Sequence, residues 1–251
     1  MKNNENNYIY GKRPVEELLM TEPSKVQKIF IKKTSFGKDY SRINDLASKN
    51  KIPVSFVDQK RISEIAGGEA VSQGVAALVN ETDFLDLDNF IAGLDMDKNP
   101  AVILLDELED PHNVGAIIRT ASAAGINGLI MGKHRQAPIT AAVFKVSAGT
   151  AAKLPLIRVS NINNALDKLK DAGFWVMALD QDSRKSYWQQ DYKMPLCFVV
   201  GNEGEGIREK TLDRADFKIK IPMKNEVESL NVSVSAALVM YERMRQVGNS
   251  K

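Results

Sequence analysis

Ala101-Val102-Ile103-Leu104-Leu105 is an unbroken run of apolar residues, and its reading decides the fold. A strand with one wet face alternates apolar and polar side chains. A run without alternation fits a strand covered on both faces, as in a parallel sheet flanked by helices. Further strand patterns lie at Gly128–Met131, Leu154–Val159, Phe174–Leu179, Leu196–Val200 and Phe217–Ile221, and helical patterns fall between most of them, at 113–124, 139–147, 161–172, 205–213 and 229–245. This alternation predicts an α/β domain with a parallel sheet. Ligands of such sheets bind beyond the carboxyl ends of the strands.

Upstream, strand patterns at Val26–Ile31, Ile52–Val57 and Gly74–Val79 alternate with helical ones at Tyr40–Ser48 and Arg61–Ala66. They predict a smaller βαβ-type unit. The organisation expected is a first domain over 1–80, an acidic linker over 81–99 with a short helix at 87–94, and a second domain over 100–251. Charge follows the same division: the three blocks carry nets of +4, −5 and +3. The mild basic excess of the outer blocks permits nucleic-acid binding without demonstrating it.

With 251 residues and a hydrophobic fraction of 43%, the chain can build a substantial core. No apolar run reaches the length of a membrane span, and the polar start, Met1 to Asn7, lacks the apolar region of a signal peptide. The expectation is a cytoplasmic protein without membrane association. Cys197 lies inside a buried-strand pattern and reads as a small core residue. With two histidines and one cysteine, no His/Cys metal site is expected.

Three polar clusters fall at strand-to-helix junctions. The first is Asp110-Pro111-His112-Asn113-Val114-Gly115-Ala116-Ile117-Ile118-Arg119. Val114, Ile117, Ile118, Ala121 and Ala124 make a core stripe, while Gly115, Arg119 and Ser122 make another that lets a long cationic side chain reach outward. Arg119 reads as a surface arginine or as a grip on a phosphate or carboxylate, and Asn113 as a helix cap or a site residue. The second cluster is Gly201-Asn202-Glu203-Gly204-Glu205-Gly206-Ile207. Its glycine order matches neither dinucleotide nor P-loop fingerprints. Glu203 and Glu205 would repel a pyrophosphate but tolerate a cationic ligand with hydroxyls, which favours S-adenosylmethionine over NAD or ATP. The third cluster is Asn225 to Ser233, with Ser229 as a possible cap of the last helix and Asn231 in its first turn. A serine hydrolase is disfavoured, since neither histidine lies in a nucleophile-elbow context.

These residues resemble the motifs of the SpoU (TrmH-like) branch of the SPOUT RNA ribose 2′-O-methyltransferases, at Leu105–Ala124, Phe198–Ile207 and Ile221–Ala237. The stretch Tyr8 to Leu19 resembles the start of that family's L30e-like RNA-binding domain, and the nearest subgroup resembles the RlmB enzymes. The resemblance implies a SPOUT-type catalytic domain with a C-terminal trefoil knot and a homodimer with its pocket at the subunit interface. It also implies S-adenosylmethionine held by backbone atoms at Gly201, Ile221 and Leu230, and functional side chains at Asn113, Arg119, Glu203, Ser229 and Asn231. The implied substrate is a guanosine ribose in the peptidyl-transferase loop of 23S rRNA, in naked RNA or a large-subunit precursor. Methylation of a tRNA or another rRNA site, and a non-catalytic RNA-binding assembly factor, are the rival readings.

Overall fold

The computed structural model describes residues 8–33, 38–66, 73–80, 84–137, 139, 141–147, 150–202, 204–225 and 228–248. They form two compact units. Unit 1 comprises Met1–Thr82 with Pro138–Lys153, and unit 2 comprises Asp83–Ala137 with Leu154–Lys251. The structure therefore draws the division differently from the blocks 1–80, 81–99 and 100–251.

Unit 1 holds strands β1 (Tyr8–Tyr10), β2 (Val26–Lys32), β3 (Val54–Val57) and β4 (Val75–Val79), with helices α1 (Lys12–Thr21), α2 (Lys38–Lys49) and α3 (Gln59–Ala66). The sheet order is β1-β4-β2-β3. β2 and β3 are parallel, joined by α2 as a βαβ unit, but β4 runs antiparallel to both β2 and β1. The sheet is thus mixed, and after α3 the chain places β4 on the other side of β2 and not beyond β3. The strand β1 and helix α1 had no counterpart in the pattern reading: three residues give too short a window for a period. The core of this unit is built from Ile9, Leu18, Leu19, Ile29, Ile31, Ile43 and Ile62, all buried.

Unit 2 opens with the short helix α4 (Leu87–Ala92), capped by the Asp86 carboxylate, which accepts from the amides of Asp88 and Asn89. This is the stretch expected as a linker. Leu87 and Phe90 are instead buried in the main core cluster. Gly128 makes room for Phe90: a Cβ there would meet Phe90 Cζ at 2.6 Å.

The six strands are β5 (Ala101–Asp106), β6 (Gly128–Gly132), β7 (Leu156–Val159), β8 (Trp175–Leu179), β9 (Leu196–Gly201) and β10 (Phe217–Ile219). They are parallel throughout, in the order β10-β8-β9-β5-β6-β7. Every residue of β5 is buried, as its unbroken apolar run requires. The chain moves outward from β5 through β6 to β7, then crosses to build the other half. The order therefore reverses between β5 and β9, where Asp106 lies opposite Gly201. A crevice at such a reversal is the usual ligand site of an open parallel sheet.

Helices α5 (Pro111–Ala123), α7 (Ile162–Asp171), α8 (Glu209–Leu212) and α9 (Val232–Gly248) belong to this unit, whereas α6 (Ala141–Val146) packs on β1 in unit 1. α8 is shorter than the 205–213 pattern suggested, because Asn202 and Gly206 pair through their backbones in a tight hairpin ahead of it. β10 ends at Ile219, and Pro222, which lacks a donor, follows soon after.

Candidate active site

The entry to α5 is set by Asp110, whose carboxylate accepts from the His112 amide at 2.9 Å, with Pro111 in the first helical turn where its missing donor is not needed. Asp110, not Asn113, is therefore the cap. Asn113 is buried, and its Oδ1 accepts from Asn231 Nδ2 at 2.9 Å across 118 residues of sequence. Asn231 is fixed by its own helix: its Oδ1 accepts from the Ser233 amide at 2.9 Å and the Ser233 hydroxyl at 2.6 Å, and its carbonyl accepts from the Ser235 amide at 3.0 Å. Asn231 thus caps α9, the role considered for Ser229. With its acceptor turned to the helix, only its amide donors face Asn113. The first and third junctions are joined by this bond.

The second junction is tied to the first. Asn202 and Gly206 exchange backbone bonds at 3.0 and 2.9 Å, and Gly204 N donates to Asn202 Oδ1 at 2.8 Å. Asn202 Nδ2 donates to the Glu107 carbonyl at 2.9 Å. Gly201 admits no side chain, since a Cβ there would lie 2.2 Å from the Gly206 carbonyl carbon and oxygen and 2.3 Å from Ile207 N. Beyond the hairpin, Arg208 N donates to Asp106 Oδ2 at 3.1 Å, Arg208 Nε to Asp106 Oδ1 at 2.9 Å and Nη1 to Glu107 Oε1 at 2.6 Å. Asp106 is fully buried at the end of β5. Burial works against the Arg208 charge, but the Asp106 and Glu107 carboxylates outweigh it and hold the guanidinium above its ordinary range. The sequence reading passed over Asp106, Glu107, Asn202 and Arg208. A carboxylate closing an all-apolar strand was the available signal, since such a group needs a partner.

These turns enclose a cleft of about 1000 Å³ at the carboxyl ends of β8, β9 and β10. It is lined by Gly201, Ile221, Ser229, Leu230 and Asn231, so the residues expected to hold the cofactor are brought together with two of the expected functional side chains. Six carboxylates, Asp180, Asp182, Glu205, Glu209, Asp213 and Glu228, line it against two lysines, Lys218 and Lys220. With its acidic lining, it suits a cationic or zwitterionic ligand with hydroxyls and repels a pyrophosphate. S-adenosylmethionine fits that donor set; NAD and ATP do not.

Asn113 is tied to this wall by the bond it accepts from Asn231. Arg119, two turns further along α5, does not line the cleft; it is exposed and makes no ion pair with another described residue. Glu203 lies outside the described residues. Among the described residues, no group of three or more His, Cys, Asp or Glu is placed to hold a metal ion, and no helix is long and apolar enough to cross a membrane. Cys197 is fully buried, and burial pushes its thiol well above the usual range, which fits a core residue and not a nucleophile.

Residues 100–241 match the model of the SpoU rRNA Methylase family, and residues 8–85 match a model described as RNA 2′-O ribose methyltransferase substrate binding. A Bacillus subtilis (strain 168) protein, YacO, whose name assigns it to the TrmH family of tRNA/rRNA methyltransferases, is 35% identical over 96% of this chain and 96% of its own length. A Staphylococcus saprophyticus protein assigned to the same family is 38% identical over 95% of each chain. The fold is similar to that of the SpoU methyltransferase AviRb of Streptomyces viridochromogenes, solved in complex with AdoMet (TM-score 0.83, 23% identity, 97% of this chain and 91% of that one). It is also similar to an AdoMet-bound rRNA methyltransferase of Sinorhizobium meliloti (TM-score 0.79, 22% identity, 95% and 87% coverage). The two family matches, and relatives above 30% identity over nearly the whole length, settle the assignment: the chain belongs to the SpoU rRNA methylase family of TrmH-type RNA methyltransferases.

Proposed function

We propose that the chain methylates a ribose 2′-hydroxyl in RNA with S-adenosylmethionine as donor, and that the target is a guanosine in the peptidyl-transferase loop of 23S rRNA. The observation that carries the reaction is the convergence of all three polar junctions: the Asn113–Asn231 bond joins two of them, and the acidic cleft is lined by residues of the second and third. The target nucleotide rests on the resemblance of the motifs and of the N-terminal stretch to the RlmB subgroup, and on the mild basic excess of residues 1–80.

When bound, S-adenosylmethionine supplies a methyl group activated by a sulfonium. Gly201, Ile221 and Leu230 are assigned to hold it through backbone atoms. The carboxylates around them favour its positive charge. Arg119 offers a fork of donors and no acceptor, so its assigned work is to grip the phosphate beside the target ribose and to stabilise the charge developing on the 2′-oxygen. The hydroxyl proton then leaves to a phosphate oxygen or to water. Asn113, locked by Asn231, is assigned to orient the ribose, with Ser229 at the cleft wall and Glu203 on the second turn supporting them. Holding reactants in attack geometry contributes on the order of 7–11 kcal/mol in such reactions.

A homodimer belongs to the same proposal. Val234, Tyr241 and Met244 are exposed along α9 at helical spacing, an apolar stripe suited to a second copy, and Arg119 outside the cleft fits a site completed across subunits. So does the trefoil knot, supported by the shared wall that Gly201, Gly206, Ile221 and Leu230 give to one cleft.

Calorimetric titration with S-adenosylmethionine, followed by transfer of labelled methyl to RNA, tests the reading. One donor bound per chain and label in RNA support it; absence of donor binding removes it.

A further inference from the structure

The loop after β6, Lys133-His134-Arg135-Gln136, projects Lys133, His134 and Arg135 into solvent at the carboxyl end of the sheet. Its backbone is pinned to the entry of α5. Leu108 N donates to Gln136 Oε1 at 3.2 Å, Gln136 Nε2 donates to the Leu108 carbonyl at 2.8 Å, and Ala137 N donates to the same carbonyl at 2.8 Å. On the other side Lys133 N donates to the Val159 carbonyl at 3.1 Å. Leu108 stands two residues before Asp110, the cap of the helix that carries Asn113 and Arg119.

Arg135 is the unusual member. Its φ is 48°, in the left-handed region where glycine or asparagine sits at lower cost. Non-glycine residues held there concentrate at functional positions. Its side chain is 70% exposed and makes one long contact, 3.4 Å, to Glu107 Oε2. Glu107 is already engaged with Arg208 Nη1 at 2.6 Å, so this exposed pair holds Arg135 weakly. Of the acids between β5 and α5, Glu107 is engaged by Arg208, Asp110 is occupied as a helix cap, and Glu109 is exposed. A fixed backbone thus presents a loosely held guanidinium, with a lysine beside it.

We propose that Lys133 and Arg135 form an RNA phosphate-binding arm belonging to unit 2 itself, distinct from residues 8–85, which grips the backbone of the strand whose ribose enters beside Asn113 and Arg119. The anion that fits is a phosphate of the RNA substrate, since the proposed donor carries no phosphate and the cleft of this unit is acidic. Fixed position is what makes such a contact a register-setting one: phosphate contacts orient nucleic acid without reading its sequence. The proposal rests on the RNA methyltransferase reading.

The test uses the full chain and in vitro transcribed large-subunit rRNA as probe, with affinity measured across a salt series. Arg135→Gly relieves the left-handed strain, so its Tm is expected to equal or exceed that of the parent. RNA affinity is expected to fall about 5-fold, and the slope of log K against log salt to shrink by about 1, the signature of one lost phosphate contact. S-adenosylmethionine affinity stays unchanged, and Arg135→Lys recovers most of the RNA affinity. Lys133→Ala is expected to act in the same direction and to add to Arg135→Gly. Parental affinity and slope in Arg135→Gly overturn the arm. So does a loss accompanied by a lower Tm or weaker donor binding, which marks a structural role. If the parent protein binds donor and transfers methyl while the variant is unaltered, only the arm falls. If the parent binds no RNA, the underlying reading falls with it.

Discussion

Replacing Gly201 with alanine is the most demanding perturbation of the cleft. The new Cβ would sit 2.2 Å from the carbonyl carbon and oxygen of Gly206 and 2.3 Å from Ile207 N, all backbone atoms with no rotamer to yield. Reaching ordinary contact at 3.4 Å moves one wall by about 1.2 Å, the difference of the two distances. A shift of that size breaks the paired Asn202–Gly206 backbone bonds, now 3.0 and 2.9 Å. At about 1 kcal/mol each, the loss is ~2 kcal/mol. Since that strain is greatest where the donor must bind, S-adenosylmethionine affinity is expected to drop about 30-fold, and Tm to fall by ~4–8 °C for a chain of this length. Isothermal calorimetry and calorimetric melting read both quantities. Gly204→Ala is the paired control: its Cβ meets only Asn202 Oδ1, at an ordinary 3.5 Å, and its effect is expected to be near zero. If Gly201→Ala binds the donor as the parent does while Gly204→Ala is impaired, the assignment of the wall is refuted.

Arg119→Lys keeps the charge but loses the fork, and is expected to abolish turnover while leaving donor affinity intact; near-normal methyl transfer would remove the role given to Arg119. Asn231→Ala deletes the α9 cap and the Asn113 bond together, with an expected loss of ~1–2 kcal/mol by denaturant unfolding and a larger loss in kcat than in donor affinity. Arg208→Ala leaves the fully buried Asp106 carboxylate without its side-chain partner, at about 2 kcal/mol, the exposure of Arg208 tempering the larger figures seen for enclosed pairs; an unchanged melting curve would contradict the latch. Tyr241→Asp places a charge on the exposed stripe of α9, and sedimentation is expected to show a shift from dimer toward monomer.

Much of unit 2 was legible because burial leaves a direct trace in the chain. The unbroken apolar run of β5, the stripe Val114, Ile117, Ile118 and Ala121, and the glycine-marked turn after β9 each have one physical reading, and each stands where that reading put it. What escaped was decided by partners far away in sequence. Asp110 rather than Asn113 caps α5, with the Asn113 Oδ1 accepting instead from Asn231 Nδ2 across 118 residues, and Asn231 rather than Ser229 caps α9 through its own Oδ1. No local pattern contains the bond between the two asparagines. The Asp106–Arg208 latch spans 102 residues and was invisible for the same reason. Leu87 and Phe90 were read as a loose connector because six acids surround them over 81–99; only the space left by Gly128 shows where Phe90 goes. β4 lies between β1 and β2 and runs antiparallel to both, which strand periodicity does not encode.

The central claim is transfer of a methyl group to a ribose hydroxyl of RNA, and ribose-methylation mapping of large-subunit rRNA incubated with S-adenosylmethionine and the purified protein tests it most directly. The expected result is a single new 2′-O-methylguanosine in the peptidyl-transferase loop, absent with Arg119→Lys. Label on a base, or no label in RNA at all, would contradict the account.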